Sequence, residues 1–494
     1  MAPQTRAERT KYEETSRHED VMHFLAALDV PSLHVETFGT TPGGRSLPIA
    51  VLSAHGIETP EEARARALPV VLLIGGIHAG EVEGKEAILM LLRDLASSEL
   101  LEKLTIVAVP LFNPDGNDAL DPANRKLDLD HLSGQCGPLL VGTRVNGAGI
   151  NLNRDYMRQQ APEMRALQAL VAQRWRPELT IDTHATNGSV HRMAMTYDVP
   201  HTIASGRAEP ILFMRERMMP AVTRGLSARG VTAGWYGNFV EDERALDARR
   251  AADPRAPVRE GWMTYTHHPR FGSNYRGLTN RLDLLLECYS YLSFEERVHA
   301  TYATLLEALT FVAANGDDVM QIVASSERPR DRVAVRYALG AFDASITIPT
   351  REPRTLDGAP AEVRIPYFAS FTGTTVVERP AAYLVPPAVA EHLARHGIAS
   401  EPVHGELACE VATITAIGNE GGRKILEAAQ VGDVTVEWKR AVRSGAHLVR
   451  TDHALGAIAV YLCEPESDDG AIENGVVPAP AVGDEYPISR VTDL

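Results

Sequence analysis

Apolar residues along this chain of 494 residues follow two regimes, and the change comes near residue 331. Before it, continuous apolar runs of strand length alternate with helically spaced ones. Residues 68–74 (LPVVLLI), 104–112 (LTIVAVPLF), 179–181 and 282–287 (LDLLLE) lack polar alternation, as strands buried on both faces of a parallel or mixed sheet do. Residues 83–95 (EGKEAILMLLRDL), 162–174 and 210–226 carry apolar positions three and four apart, which predicts helices. An amphipathic helix over 13–28 and two strands at 34–38 and 47–52, split by the turn TPGGRS, precede this series, and a long helix over 294–315 closes it. Strands alternating with helices predict an α/β fold with helices on both faces.

Beyond Asp331 the runs shorten. Strands are expected at 333–337, 344–348, 374–379, 411–417, 434–439 and 457–462, with a helical insert near 387–396. The acidic stretch EPESDDGAIENG (464–475) reads as a loop. The expected organisation is a domain over 1–332 and a β-rich domain over 333–494.

Composition narrows the partners. The net charge of −16 argues against nucleic acid or an anionic membrane surface. No apolar run is long enough to span a bilayer. The opening MAPQTRAERTKYEETSRHED lacks the apolar core of a secretory leader, so the cytoplasm is the expected compartment. Cys136, Cys288, Cys409 and Cys463 form no CxxC pair, which points to neither a thiolate metal site nor a disulfide framework.

The chemistry lies at strand ends. His78 and Glu81 stand in GGIHAGEVEG just past an apolar run, where side chains open onto the crevice of an α/β sheet. A His and a Glu three apart can share one zinc, which takes nitrogen and carboxylate oxygen at about 2.0–2.2 Å. A second His-x-x-Glu, at His55 and Glu58, lacks the glycine-flanked turn into an apolar helix and is the decoy. Catalytic zinc needs a third protein ligand; His184 in TIDTHAT ends another strand, with Asp182 on the same side as its support. Between these lies RVNGAGINLNRDY, with Arg144, Asn151, Asn153 and Arg154; its arginines are cations suited to gripping a carboxylate or steadying an oxyanion. Glu287 closes LDLLLE, where a carboxylate facing a metal site can take a proton from water.

Taken in order, HAGE at 78–81, NPDGN at 113–117, INLNRD, His184 and the ECYSY that opens on Glu287 resemble the zinc carboxypeptidase family, in a bacterial branch, over roughly residues 10–330. The resemblance implies a three-layer α/β/α sandwich with a mixed, roughly eight-stranded sheet. It implies that His78, Glu81 and His184 hold one Zn2+ per chain and that Glu287 activates water. Arg144 would polarise the scissile carbonyl, Asn153 and Arg154 would hold the substrate's terminal carboxylate, and Tyr265 or its competitor Tyr275 would cap the substrate. The best-known digestive members carry Asp where Asn151 stands, and Arg144 lies only nine residues before Asn153, a shorter loop than theirs. His191, His201, His267 and His268 read as pocket wall or surface.

The leading expectation is hydrolysis of a C-terminal peptide bond. A small-molecule amidase or deacylase of N-acyl amino acids on the same scaffold is the rival, since a free carboxylate would be gripped in the same way. A non-catalytic binding module is the reading from another class. The expected partner is a peptide or N-acyl amino acid with a free carboxylate; homo-oligomerisation is left open.

Overall fold

The computed structural model describes residues 2–241, 243–253, 255–418, 433–444 and 446–492. The first ten strands are Leu33–Thr40 (β1), Ser46–Leu52 (β2), Val70–Ile74 (β3), Thr105–Val109 (β4), Leu179–Thr186 (β5), Met195–Asp198 (β6), Ala233–Trp235 (β7), Asn238–Phe239 (β8), Trp262–Met263 (β9) and Leu282–Tyr289 (β10). Eight of them form a mixed sheet in the order β1-β2-β4-β3-β5-β10-β6-β7. The centre, β4-β3-β5-β10, is parallel, while β2 meets β4 and β6 meets β10 antiparallel.

Side chains along the central strands alternate between two cores. Val71, Leu73, Ile106 and Ala108 pack with Ile88, Leu91, Leu305 and Leu309 of the helices Glu83–Asp94 and Phe294–Ala314. Leu72, Ile74, Val107 and Val109 pack on the other face with Met164, Leu167 and Val171, which belong to Pro162–Ala166 and its wider-wound continuation Leu167–Gln173. Both faces are covered, so these strands show no polar alternation. The result is an α/β/α sandwich.

The rest of the chain begins with Arg332–Ala341 (β11), Ile346–Glu352 (β12), Ala359–Ile365 (β13), Tyr367–Glu378 (β14) and Ala382–Val385 (β15). It continues with Glu401–Pro402 (β16), Leu407–Ile417 (β17), Val434–Arg443 (β18), His447–Arg450 (β19) and Glu485–Val491 (β20). Six of these form a sheet in the order β16-β19-β15-β20-β17-β18, and a smaller sheet, β11-β14-β9-β8, draws two strands from before residue 300. Val333, Tyr383, Leu393 and Ile458 share a core with Leu72 and Tyr156. The later residues thus complete one outer layer of the sandwich.

Two expectations need correction. Residues 457–462 were expected to be a strand, but Gly456–Cys463 is a helix with every residue buried. An apolar run of this length has the same pattern in either conformation, and a helix apolar all round is one that the core encloses. The helix expected over 13–28 begins only at His18. The preceding residues are drawn away by the buried carboxylate of Glu86, which accepts from the Thr15 hydroxyl (2.9 Å), the Ser16 amide (2.6 Å) and the Ser16 hydroxyl (2.8 Å). The acidic stretch 464–475 is a loop, but Glu464, Ser467 and Asp469 are buried.

Candidate active site

Gly76, in the left-handed region at φ +66, reverses the chain after β3 and brings His78 and Glu81 over the strand ends. His184 comes from the neighbouring β5 and Glu287 from β10, where the two stand opposite each other in parallel register. The ligand atoms converge. His78 Nδ1 lies 3.2 Å from the Glu81 carboxylate, His184 Nδ1 lies 2.9 Å from Glu81 Oε2, and the two Nδ1 atoms are 3.1 Å apart. All three side chains are buried.

The outer ring nitrogens face other groups. His78 Nε2 lies 3.2 Å from Asn151 Oδ1. His184 Nε2 lies 3.4 Å from Asp182 Oδ1. Anchoring Nε2–H by an oxygen turns the Nδ1 lone pair inward. Two imidazole lone pairs and a carboxylate oxygen then meet at one point, an arrangement that a cation stabilises and that suits zinc's nitrogen and oxygen preference. Asn151 supplies the acceptor that an Asp would, without its charge. The decoy pair is elsewhere: His55 Nε2 lies 3.3 Å from Glu102, and Glu58 sits 3.8 Å from His34.

Protonation tells the same story. Burial, above all, holds the His78 ring at about 3, so it is neutral. Burial opposes charge on His184 too, but Asp182 and Glu81 outweigh it and raise that ring well above its ordinary value. Zinc must displace the His184 proton to bind. Its apparent affinity is therefore expected to weaken by about tenfold per pH unit on the acid side of that proton's release. Competition with a chromophoric chelator at several pH values measures this; a pH-independent affinity would rule out His184 Nδ1 as a ligand.

Around this cluster is a cavity of about 420 Å³, lined by His78, Glu81, Arg125, Arg144, Asn153, Arg154, Tyr236, Tyr265, Phe271 and Glu287 among others. Arg154 lies largely buried in its wall. Its guanidinium lies 3.7 Å from the centroid of the Phe271 ring and donates to the Asn153 carbonyl at 2.6 Å. Among the described residues it has no carboxylate within salt-bridge distance. Burial, then Arg144 and Arg270, lowers it to about 9. Asn153 is positioned by the Gly272 amide, which donates to its Oδ1 at 2.9 Å. Burial raises the Glu287 carboxyl to about 8, with His184, Arg144 and Arg125 pulling the other way.

Tyr275 is a correction. It does not line the cavity: it sits in the core beside Tyr156, and its hydroxyl lies 2.9 Å from His396 Nδ1. It lies on the helix Gly272–Leu278, every residue of which is buried, so its position in the chain gave no hint of which way it faced. His191, His201, His267 and His268 do not line the cavity either. His191 stacks near Tyr289 at 4.1 Å between centroids, and His201 meets Asp198 at 3.1 Å.

Sequence reasoning missed Arg125 and Tyr236. Arg125 Nη1 donates to Glu81 Oε1 at 3.1 Å, its Nε to Gln135 at 2.6 Å and its Nη2 to the Ser290 hydroxyl at 3.1 Å. Arg144 also reaches Glu81 Oε1, at 3.3 Å, but its side chain is 46% exposed against 18% for Arg125. In sequence, DPANRKLD around Arg125 is indistinguishable from a solvated loop; its only cue is that it follows NPDGN.

Residues 19–202 match the family model described as zinc carboxypeptidase. Carboxypeptidase 2 from Trichophyton tonsurans is 24% identical over 481 residues, covering 91% of this chain and 81% of the relative. The similarity therefore runs through the later β-rich residues as well. Carboxypeptidase D from Mus musculus is 28% identical over 177 residues, 30% of this chain and 12% of the relative. Among solved structures, a metallo-carboxypeptidase from Burkholderia cenocepacia is similar at 19% identity, over 60% of this chain and 69% of that one, with a TM-score of 0.39.

Proposed function

We propose, from the match of residues 19–202 to the zinc carboxypeptidase family model, that this chain is an exopeptidase that hydrolyses the last peptide bond of a substrate with a free terminal carboxylate. One observation carries the reading: a largely buried guanidinium, Arg154, without a carboxylate partner among the described residues, shares a cavity with His78 and Glu81, which converge with His184. A buried cation left unpaired is costly, and a substrate carboxylate is the group that would complete it.

In this reading one zinc ion, held by His78, Glu81 and His184, would polarise the scissile carbonyl and make a water more acidic. Glu287 takes the proton of the attacking water and delivers it to the departing amine. Arg125, tied by Glu81, Gln135 and the Ser290 hydroxyl, and the more exposed Arg144 face the side where negative charge develops on the carbonyl oxygen. Asn153 and Arg154 bind the terminal carboxylate and so demand a chain end. Tyr265 lines the same cavity and covers the bound residue.

The test is zinc content together with turnover of a panel of N-blocked dipeptides and N-acyl amino acids. Hydrolysis of blocked dipeptides, and not of their C-terminal amides, is the expected result. Selective turnover of N-acyl amino acids would favour the deacylase, and zinc binding without turnover would favour a binding module. Arg154→Met is expected to raise KM by about 30-fold or more, equivalent to ~2 kcal/mol, with a smaller change in kcat. An unchanged KM would remove Arg154 from substrate binding.

A further inference from the structure

The β-rich residues after 331 hold one wall of the cavity through a pair of carboxylates. That wall is the segment 264–273, which presents Tyr265, Phe271, Gly272 and Ser273 to the cavity. It is tied at its start by β9, whose Trp262 and Met263 pair with Tyr367 and Phe368 of β14. It is tied near its end by the acidic loop 464–475. Asp469 is completely buried; its carboxylate accepts the Arg270 amide at 2.6 Å and meets the Arg270 guanidinium at 2.8 Å. Asp468 lies 2.7 Å from His267 Nε2 and accepts the Tyr461 hydroxyl at 2.6 Å. Asn474 braces the loop from within, donating to the Asp469 carbonyl at 2.8 Å.

His267, His268 and Asp468 also have ligand atoms within 4.8 Å of one another. They make a poor cation site, because Asp468 already serves His267 and Tyr461, and the Arg270 guanidinium lies 3.4 Å from its carbonyl. The cluster is an ion-pair latch. What it latches matters: the residue after Arg270 is Phe271, which carries the Arg154 guanidinium, and the next is Gly272, which positions Asn153.

We propose that Asp469 is a positioning residue for the terminal-carboxylate subsite, so that the later region sets substrate affinity without touching substrate. The proposal rests on reading Arg154 and Asn153 as the carboxylate grip. A guanidinium displaced by an ångström or so loses a directional contact, and misplacement of that order costs about 10²-fold in rate at its worst.

The test uses the full chain carrying Asp469→Asn, with Arg270→Lys as an independent break of the same contact. For an N-blocked dipeptide, KM is expected to rise by about tenfold with kcat within about twofold and zinc content unchanged. Amide exchange is expected to quicken over 264–273 and to stay as it was over β3, β4 and β5. If exchange quickens but KM does not move in either variant, the latch is structural only and the proposal is overturned. It is overturned equally if, in both variants, kcat and zinc content fall as KM rises. If the wild type cleaves no substrate with a terminal carboxylate, the reading of Arg154 fails instead, and unchanged exchange over 264–273 would still refute the latch by itself.

Discussion

In Glu287→Gln, kcat is expected to fall by about 10²–10⁴-fold while the chain keeps its zinc. Glu287 is outside the ligand cluster but stands beside His184 in the β5–β10 register and lines the same cavity. Gln keeps the size and removes the ability to accept a proton. The pH profile gives a second reading. Burial lifts the carboxyl to about 8, and a bound dication would draw it back down, because a nearby positive charge favours the ionised form. The base works only when deprotonated, so kcat/KM should rise with pH through this pKa and level off above it. Gln cannot titrate, so the acid limb should vanish with the turnover. Metal analysis and a pH–rate profile on both proteins check this. Wild-type turnover with the same acid limb in the variant would assign the proton to another group.

Arg276→Met is expected to cost ~3–5 kcal/mol of stability. The guanidinium is buried between two acids. It pairs with Asp283, lies 3.3 Å from Asp182 and donates to the Tyr156 hydroxyl at 2.7 Å. Without it, two buried carboxylates are left facing each other, and removing one member of such a set is worse than never having had it. The damage should reach the metal site, because Asp182 also lies 3.4 Å from His184 Nε2. Losing the outer support of a metal-binding histidine typically lowers metal affinity about 10–100-fold. Urea unfolding and zinc titration on the same variant separate the two effects. A loss of stability with full zinc affinity would show that Asp182 does not orient His184.

Much of the scaffold was legible because its cause is local. The runs at 68–74, 104–112 and 282–287 are apolar without alternation, which suits a strand covered on both faces, and all three became central strands. HAGE, His184 and Glu287 could be picked out because each sits where such a run ends; His78, Glu81 and Glu287 line one cavity, and His184 converges on His78 and Glu81. Direction was harder. Tyr265 and Tyr275 stand ten residues apart before β10, yet one faces the cavity and the other, on the helix Gly272–Leu278, the core.

What the chain pattern determined by itself is therefore the order of strands and helices and the strand-end residues that carry chemistry, because burial and turn geometry write those into neighbouring positions. What only the tertiary structure decided are relations between distant positions. Arg125 joins Glu81 across a loop with no periodic signal. Gly456–Cys463 coils as a helix because the core around it, from residues hundreds of positions earlier, encloses all its sides. Asp469 meets Arg270 from 199 positions away. Such pairings depend on how whole layers stack, and stacking is settled by the summed burial of both partners, of which either segment alone holds half.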